Sequence, residues 1–476
     1  MPHRSALVIA GLIALAALSL ALAGAAYPRD SWPVDFRAFY CAGAVVADHR
    51  DPYRTEPLRR CENEARGFTG GRGVPFAIPA PLPGYALAPF VLLSRLPHRL
   101  AAALFVAALL ASLALAVVVL SRLCELRVET IFAAVLLEAL FAVFLGQIVP
   151  LICAATVTAA FFVARGRDRA AALAASFAML EPHLGLPVCL ALFIARPRAR
   201  AVLVGCGALC ALLSVALLGL DANIEYVRDV LPAHALSEIS NEEQYSLAYL
   251  AHLAGIGERA AGGLGTLSYF VMLAAGIAAG RIAAARTGRT ALLLLVPPAF
   301  AVIGGPYMHV QQLAIAIPAA LLLGGSHGRE ARPSAVAVML LAVPWSATGF
   351  SILNLPLVAA VTFVLAIDLF GASPRRAGLV SVASLVFLVV LLLTLAPIPA
   401  ARIGPVDPSQ GNALADSGWR NYVDVAFHSS IVPYTFAKML GWSGLILIAL
   451  DAAGFNPARP AARRKHDTLA TEPRLS

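Results

Sequence analysis

The sequence predicts an all-α integral membrane protein, a polytopic bundle of 12 to 14 transmembrane helices with a large outer loop after the first helix. Hydrophobic residues make up 60% of the 476 residues, and charged residues make up only 13%. Soluble proteins average about 45–50% apolar and about 25% charged residues. Apolar runs recur from residue 6 to residue 452 without a long polar block between them. The composition therefore excludes an ordinary soluble enzyme and predicts one membrane domain over residues 1–452.

A helix crosses the hydrocarbon core with roughly 20 apolar residues, and shorter or broken helices are tolerated inside the protein. The predicted spans are 6–26, 99–120, 129–145, 150–164, 170–181, 184–195, 200–219, 264–285, 291–304, 309–323, 333–346, 355–371, 378–396 and 433–452. Two pairs, those broken at Pro182 and at Pro306, are either separate helices or interrupted ones. The first span has a small-x-small pattern at Ala21-Leu22-Ala23, so a cleaved signal is the alternative there, although its apolar stretch is longer than a usual signal core.

Loop charges predict the orientation, because Arg and Lys are enriched in cytoplasmic loops. With the amino terminus inside, the cytoplasmic segments hold 21 of the 36 cations and eight of the 27 acidic residues, a net charge of +13 against −4 for the remainder. The formal charge of +9 is thus a topology signal, and we expect no nucleic-acid partner. Both termini are predicted to be cytoplasmic, with residues 453–476 forming a basic tail near anionic lipid.

Three long segments remain on the outer side, namely 27–98, 220–263 and 397–432, and we expect the function to lie there. A connector between helices needs only a few residues, so a loop as long as 27–98 is usually functional or disordered. Its aromatic residues and alternating charges argue against disorder. The other two segments are expected to contact an acceptor or to act as lids.

Within the first outer segment, the run from Asp35 to Tyr40 predicts a short amphipathic helix at the membrane surface. Asp35 lies about nine residues beyond the first span. A carboxylate at that depth is partly desolvated while still facing water, which raises its basicity toward that of a general base. The alternative is a solvated or helix-capping aspartate.

Cys41 and Cys61 are the two of seven cysteines that the topology places outside. In an oxidising compartment they are candidates for a disulfide that closes a loop of about 20 residues and adds on the order of 3 kcal/mol of stability. The remaining cysteines lie in or beside spans and are expected to be packing residues.

Polar side chains also mark three outward turns between spans. An ionisable group in hydrocarbon costs roughly 2.5–3.5 kcal/mol, so such groups need a structural or functional reason. Glu138 is expected to face the bundle interior, with its role left open. The polar residues of the three turns predict a shared cavity that opens to the outside and is covered by segment 27–98; they are Gln147, Glu181, His183, His309, Gln311 and Gln312.

Motifs of soluble enzymes are missing from the sequence, including a phosphate-binding Gly-rich loop, His-Glu-x-x-His and Gly-x-Ser-x-Gly. A nucleotide-sugar or ATP cofactor is therefore unsupported, and we expect no metal.

The order of several weak motifs resembles the integral-membrane glycosyltransferases of the GT-C type, specifically glycosyltransferase family 87. The motifs are Asp35-Phe36-x-x-Phe39-Tyr40-x-Ala42, Asp51-Pro52-Tyr53, Leu87-x-Pro89-Phe90 with Leu96-Pro97, Gly146-Gln147, Pro182-x-x-x-Leu186 followed by Arg196-x-Arg198, and Pro306 with His309 and Gln312. Two departures exist: the family's usual Lys-Pro turn is Glu181-Pro182 here, and its Tyr-Pro-Pro segment appears as Ile78-Pro79-Ala80-Pro81. Both concern recognition of the donor.

The resemblance implies a hexosyltransferase that moves a sugar, with mannose expected, from a polyprenyl-phosphate donor to a hydroxyl of a lipid or glycan acceptor, with inversion. It implies a multi-pass protein of the bacterial inner membrane, an active site on the periplasmic face, contacts with membrane lipids, and no metal or separate cofactor. Asp35 takes the place of the family's general base. His309 and Gln312 are expected to donate to the phosphate, helped by Arg37 and Tyr40, while Tyr53, Gln147, Glu181 and His183 complete the predicted substrate site.

Two other classes stay open. A transporter or flippase for lipid-linked glycans also needs a polar cavity, but transporters generally have two related halves, and the sequence has no internal repeat. A glycan ligase of the same fold type would share the helix pattern. Transporter chemistry would also place polar groups at mid-membrane, whereas the polar groups here cluster at the outer ends of the spans.

Overall fold

The structure, a computed structural model, describes residues 2–26, 33–65, 76–241, 243–324, 333–345, 354–394, 412–426 and 431–455. This part of the chain is all α-helical, without a strand. Its twenty α-helices are α1 Pro2–Ala26, α2 Val34–Ala47, α3 Thr55–Ala65, α4 Gly84–Leu93, α5 His98–Cys124, α6 Val128–Leu145, α7 Val149–Ala164, α8 Asp168–Phe177, α9 Pro182–Ala195, α10 Arg200–Glu225, α11 Leu231–Ser237, α12 Leu247–Leu253, α13 Glu258–Thr287, α14 Leu292–Ile303, α15 Ile317–Gly324, α16 Pro333–Leu341, α17 Leu355–Phe370, α18 Pro374–Thr394, α19 Ala415–Ala426 and α20 Ile431–Ala453.

Helical segments occupy all fourteen predicted spans, which confirms the polytopic helical fold class. Six helices of the described residues are long and apolar enough to cross a membrane: His98–Cys124, Val128–Leu145, Pro197–Ser237, Glu258–Thr287, Pro374–Thr394 and Thr435–Ala453. Several others are apolar but shorter, including α4, which lies inside the segment predicted as an outer loop. The fold is thus a multi-pass membrane bundle, and the number of 12 to 14 crossings stays a prediction. The basic tail lies outside the described residues.

Helix α14 occupies the centre of the bundle. Ten of its twelve residues are buried, and it packs against α13, α9, α7 and α20. The approach of α13 is close because Gly276 faces Phe300, where a β-carbon at position 276 would lie 2.8 Å from the Phe300 β-carbon. Small residues let membrane helices pack backbone to backbone in this way. The tight centre holds the outer ends of these helices in a defined arrangement.

The periphery of the bundle is apolar and exposed. Large hydrophobic side chains such as Leu110 on α5, Leu212 on α10 and Val386 on α18 are about half exposed or more. In water such a surface would promote aggregation, whereas in lipid it is the expected outer face of a membrane bundle.

The first outer segment folds into helices α2, α3 and α4. Helix α2 begins at Val34, but nine of its fourteen residues are buried, so the helix packs inside the protein instead of lying at the surface as expected. The predicted disulfide is present between Cys41 and Cys61, whose Cα atoms are 5.6 Å apart, and it joins α2 to α3.

This segment is also attached to two later parts of the chain. Arg54 pairs with Glu225 at the end of α10, and the Thr55 amide donates to the Ala413 carbonyl at 2.9 Å. The three predicted outer segments therefore form one connected layer above the outward turns.

Candidate active site

A cavity of about 890 Å³ lies where the outer segments meet the three outward turns. Most of its wall is apolar, and its polar and aromatic side chains come from distant parts of the chain. They include Asp35, Gln147, Glu181, His183, Tyr226, His234, Glu238, Asn241, Tyr307, His309, Gln311, Gln312, Trp419 and Tyr422. The three predicted polar turns thus meet at one cavity, and segment 27–98 contributes to its wall through residues that include Asp35, Phe39, Ile78, Pro79, Pro81 and Leu82.

Asp35 is held at the cavity wall by a local feature of α6. That helix ends at Gly146, which has a φ of 79°, a left-handed conformation that favours glycine. A β-carbon there would lie 2.8 Å from the β-carbons of Pro33 and Phe36. The missing side chain therefore lets the start of α2 lie directly on the end of α6. As a result the next residue, Gln147, donates a hydrogen bond from Nε2 to Asp35 Oδ2 at 2.5 Å.

The Asp35 carboxyl has a raised pKa of about 7, and burial is the main cause. The hydrogen bond from Gln147 opposes this rise, the negative charge of Glu238 adds to it, and the charge of Arg37 opposes it. A carboxyl with a pKa near neutrality can accept a proton at physiological pH while still being a strong enough base to be useful.

A second polar group lies on another part of the cavity wall. The amide of Gln312 donates to Glu181 Oε1 and has its Nε2 atom 3.0 Å from His183 Nε2. An amide nitrogen carries two hydrogens, so Gln312 can serve both partners at once. The Gln312 carbonyl in turn accepts from the backbone N–H of His309 at 2.9 Å. Two turns that are far apart in sequence are joined here into one hydrogen-bonded unit.

Three of the predicted substrate-binding residues do not line the cavity. Arg37 is 3% exposed and lies on a different face of α2 from Asp35 and Phe39. The Tyr40 hydroxyl donates to the Leu96 carbonyl at 2.8 Å. Tyr53 is buried, and its hydroxyl donates to the Leu82 carbonyl at 2.8 Å. The two tyrosines thus bond backbone carbonyls of the outer layer.

Helical periodicity explains this separation. Asp35, Ala38 and Phe39 line the cavity, and their spacing of three and four residues places them on one face of α2. Arg37 and Tyr40 are also three residues apart, on a neighbouring face that turns away. The motif Asp-Phe-x-x-Phe-Tyr therefore contains residues that line the cavity and residues that pack inside the protein.

Several cavity residues were not singled out from the sequence. His234 and Glu238 come from the second outer segment, and Trp419 comes from the third. Asp416, also in the third segment, lies behind His234. His234 Nδ1 lies 2.8 Å from Asp416 Oδ1, and the Trp419 indole donates to Glu238 Oε1. The spacing of four residues between His234 and Glu238, one helical turn, is the signal in the sequence that points to them.

One group of cavity residues could hold a metal ion. His234, Glu238 and His309 each offer a ligand atom, and these atoms all lie within 4.8 Å of one another.

Comparison with known proteins finds a family similarity in the middle of the chain. The family model of glycosyltransferase family 87 matches residues 83–304, slightly less than half of the chain. This region contains Gln147, Glu181, His183, His234 and Glu238. No curated protein and no solved structure matches the chain. The match confirms the family resemblance found in the motifs.

Proposed function

We propose that this chain, whose residues 83–304 match glycosyltransferase family 87, is a membrane-bound sugar transferase that moves a hexose from a polyprenyl-phosphate donor to a hydroxyl acceptor. The expected sugar is mannose, and the acceptor is a lipid or glycan. The observation that supports this function best is the half-buried Asp35 carboxyl in the cavity wall, whose pKa is raised to about 7.

In the proposed reaction the acceptor oxygen attacks the anomeric carbon from the side opposite the phosphate. Asp35 accepts the hydroxyl proton as the new C–O bond forms. The bond between the anomeric carbon and the phosphate oxygen breaks, and polyprenyl phosphate leaves with that electron pair. One displacement inverts the configuration at carbon. A positioned base of this kind typically contributes about 10²–10⁴-fold to the rate.

The leaving phosphate needs hydrogen-bond donors as its charge develops. Gln312, His183 and His309 lie together on one part of the cavity wall, joined by the hydrogen bonds described above. We place the phosphate near this group, and the acceptor hydroxyl near Asp35. The Glu181 carboxylate accepts one hydrogen of the Gln312 amide, and the other points to His183 Nε2. The Gln312 amide therefore holds the His183 ring with its own hydrogen on Nδ1, and His183 is the donor that this pair orients.

A lipid-linked donor also needs an apolar entrance. Val227 and Phe270 line the cavity and are 65% and 56% exposed. Phe270 lies on α13, which is long enough to cross a membrane, and Val227 lies in the outer layer just beyond α10. We place the entrance of the polyprenyl chain at this exposed apolar edge of the cavity.

The proposed setting is the bacterial inner membrane, with both termini in the cytoplasm and the cavity on the periplasmic side. The Arg-rich loops at the ends of the helices opposite the cavity support this orientation.

Purified protein in detergent, incubated with radiolabelled polyprenyl-phosphate-mannose and a membrane lipid extract, should release polyprenyl phosphate while extending an acceptor by one sugar. A flippase would leave the donor intact, and a ligase would transfer a whole glycan. Intact donor after incubation with extract and protein would refute the proposed reaction.

Transfer should also rise with pH through about pH 7, since Asp35 is protonated below this value and becomes available as a base above it. Gln147→Leu removes the hydrogen bond that stabilises the Asp35 carboxylate. Because a hydrogen bond to a charged group is worth about 1.5–3 kcal/mol, the acidic limb should move up by about 1–2 pH units. The measurement is kcat/KM against pH.

Thr266→Val is the matched control for this profile. Thr266 lines the same cavity, but its hydroxyl bonds to the Gly262 carbonyl of its own helix. An unchanged acidic limb in Gln147→Leu would contradict the role of Asp35 as the titrating base.

A further inference from the structure

We propose that His234, Glu238 and His309 form a binding site for a divalent transition metal, with Zn²⁺ as the expected ion. This site departs from the metal-independent reaction expected from the sequence. It is built from parts of the chain about 70 residues apart, and so no local metal motif marks it.

The first argument is the convergence of ligand atoms. One atom of each residue lies within 4.8 Å of the others, and His309 Nε2 lies 3.9 Å from Glu238 Oε2. Glu238 is 2% exposed and His234 is 6% exposed, yet all three residues line the cavity. Two imidazoles and one carboxylate are a common protein ligand set for Zn²⁺ and leave one coordination position open.

The second argument is the support behind these ligands. His234 Nδ1 lies 2.8 Å from the Asp416 carboxylate, which places a hydrogen on Nδ1 and leaves the lone pair of the neutral ring on Nε2. A histidine that ligates metal usually donates its other N–H to a carboxylate in this way. Ser237 also donates to Asp416, at 3.2 Å, so the carboxylate is itself held in place.

Glu238 is fixed on both oxygens. Trp419 donates to Oε1, and Asn241 donates to Oε2 at 2.6 Å. Gln244 Nε2 lies 3.5 Å from the same Oε2 atom and within 3.4 Å of both ring nitrogens of His309, so it packs against the His309 ring beside Glu238. Hydrogen-bonded carboxylates are typical outer partners of metal ligands.

The third argument is charge. Glu238 and Asp416 are two carboxylates that are almost fully buried. Each forms an ion pair with a histidine, Glu238 with His309 and Asp416 with His234. Burying carboxylates is costly unless positive charge compensates them. A divalent cation would balance two carboxylates while both imidazoles stay neutral, which is the form that binds metal.

The position of the site suggests a use, which rests on the proposed function. His309 belongs both to the metal group and, through its backbone N–H, to the Gln312 unit near which the phosphate is placed. The open coordination position would take a phosphate oxygen of the donor and neutralise charge on the leaving group.

The test is metal binding by the purified full-length protein. Protein stripped with EDTA and exchanged into metal-free buffer is dialysed against Zn²⁺, and bound zinc is measured by elemental analysis. We expect about one tightly bound Zn²⁺ per chain. Glu238→Gln and His309→Asn should each weaken binding about 10-fold or more, while His252→Ala, a histidine outside the cavity, should bind like the wild type.

Size-exclusion chromatography shows whether each variant is folded. If a variant does not fold, a second measurement tests the site in the wild-type protein alone. Wild-type protein loaded with Co²⁺ should show the intense visible absorption of four- or five-coordinate cobalt, and Zn²⁺ should displace it. Zinc content at background level, or zinc retained in both folded ligand variants, would overturn the site. These readouts need no donor lipid, so an inactive protein that binds zinc would refute the proposed function and leave the metal site standing.

Discussion

Replacing Asp35 with asparagine should lower the rate of sugar transfer by about 10²–10⁴-fold, the usual contribution of a positioned base. Asparagine has nearly the same shape, and its carbonyl oxygen can still accept the hydrogen bond that Gln147 gives to Asp35. It is also neutral, like the carboxylic acid that predominates below about pH 7. The substitution therefore removes the proton acceptor with little effect on folding. The measurement is kcat with polyprenyl-phosphate-mannose, alongside the unfolding temperature in detergent.

Asp48→Asn is the matched control, because Asp48 is an exposed aspartate that follows the same helix and lies outside the cavity wall. It should keep wild-type activity. A folded Asp35→Asn protein within a few-fold of the wild-type rate would rule out Asp35 as the base. Loss of activity in both variants would point to a general effect on the outer layer.

Removal of the disulfide should lower the free energy of unfolding by about 3 kcal/mol, as expected for a bridge that closes a loop of this length. The bond joins α2, which holds Asp35, to α3 over a sequence separation of 20 residues. In the Cys41→Ala/Cys61→Ala variant we expect a lower unfolding temperature and a loss of sensitivity to reducing agent. Reductant should lower the unfolding temperature of the wild type to nearly the same value.

Cys124→Ala serves as the control, since Cys124 is buried but not bonded to another cysteine. It should change packing without changing the response to reductant. A wild-type protein whose unfolding is the same with and without reductant would contradict a stabilising bridge, and a peptide map under non-reducing conditions would test the Cys41–Cys61 linkage directly.

The outward turns show how far the sequence could predict the candidate site. Gln147, Glu181, His183, His309 and Gln312 were expected to meet because they share one predicted depth, and the structure brings them to one cavity. Depth is readable from hydropathy because a polar residue near the end of an apolar span is confined to the interface. Depth does not specify neighbours, and the bond from Gln312 to Glu181 depends on how the helices pack.

It was harder to predict which face of α2 lines the cavity. Arg37 and Tyr40 share a motif with Asp35, but they lie on a face of α2 that turns away from the cavity. Sequence spacing defines which residues share a face, whereas the direction of that face depends on packing. Here the contact of Pro33 and Phe36 with Gly146 decides it.

The composition and the order of apolar and charged segments determined, without further information, that this is a multi-pass helical membrane protein. These properties are local, because each span must satisfy its own backbone hydrogen bonds and exclude charge. The group of His234, Glu238, His309 and Asp416 was decided by tertiary structure alone. Its members come from three separate segments, and only the docking of α11 and α19 over the outward turns brings their side chains within reach of one another.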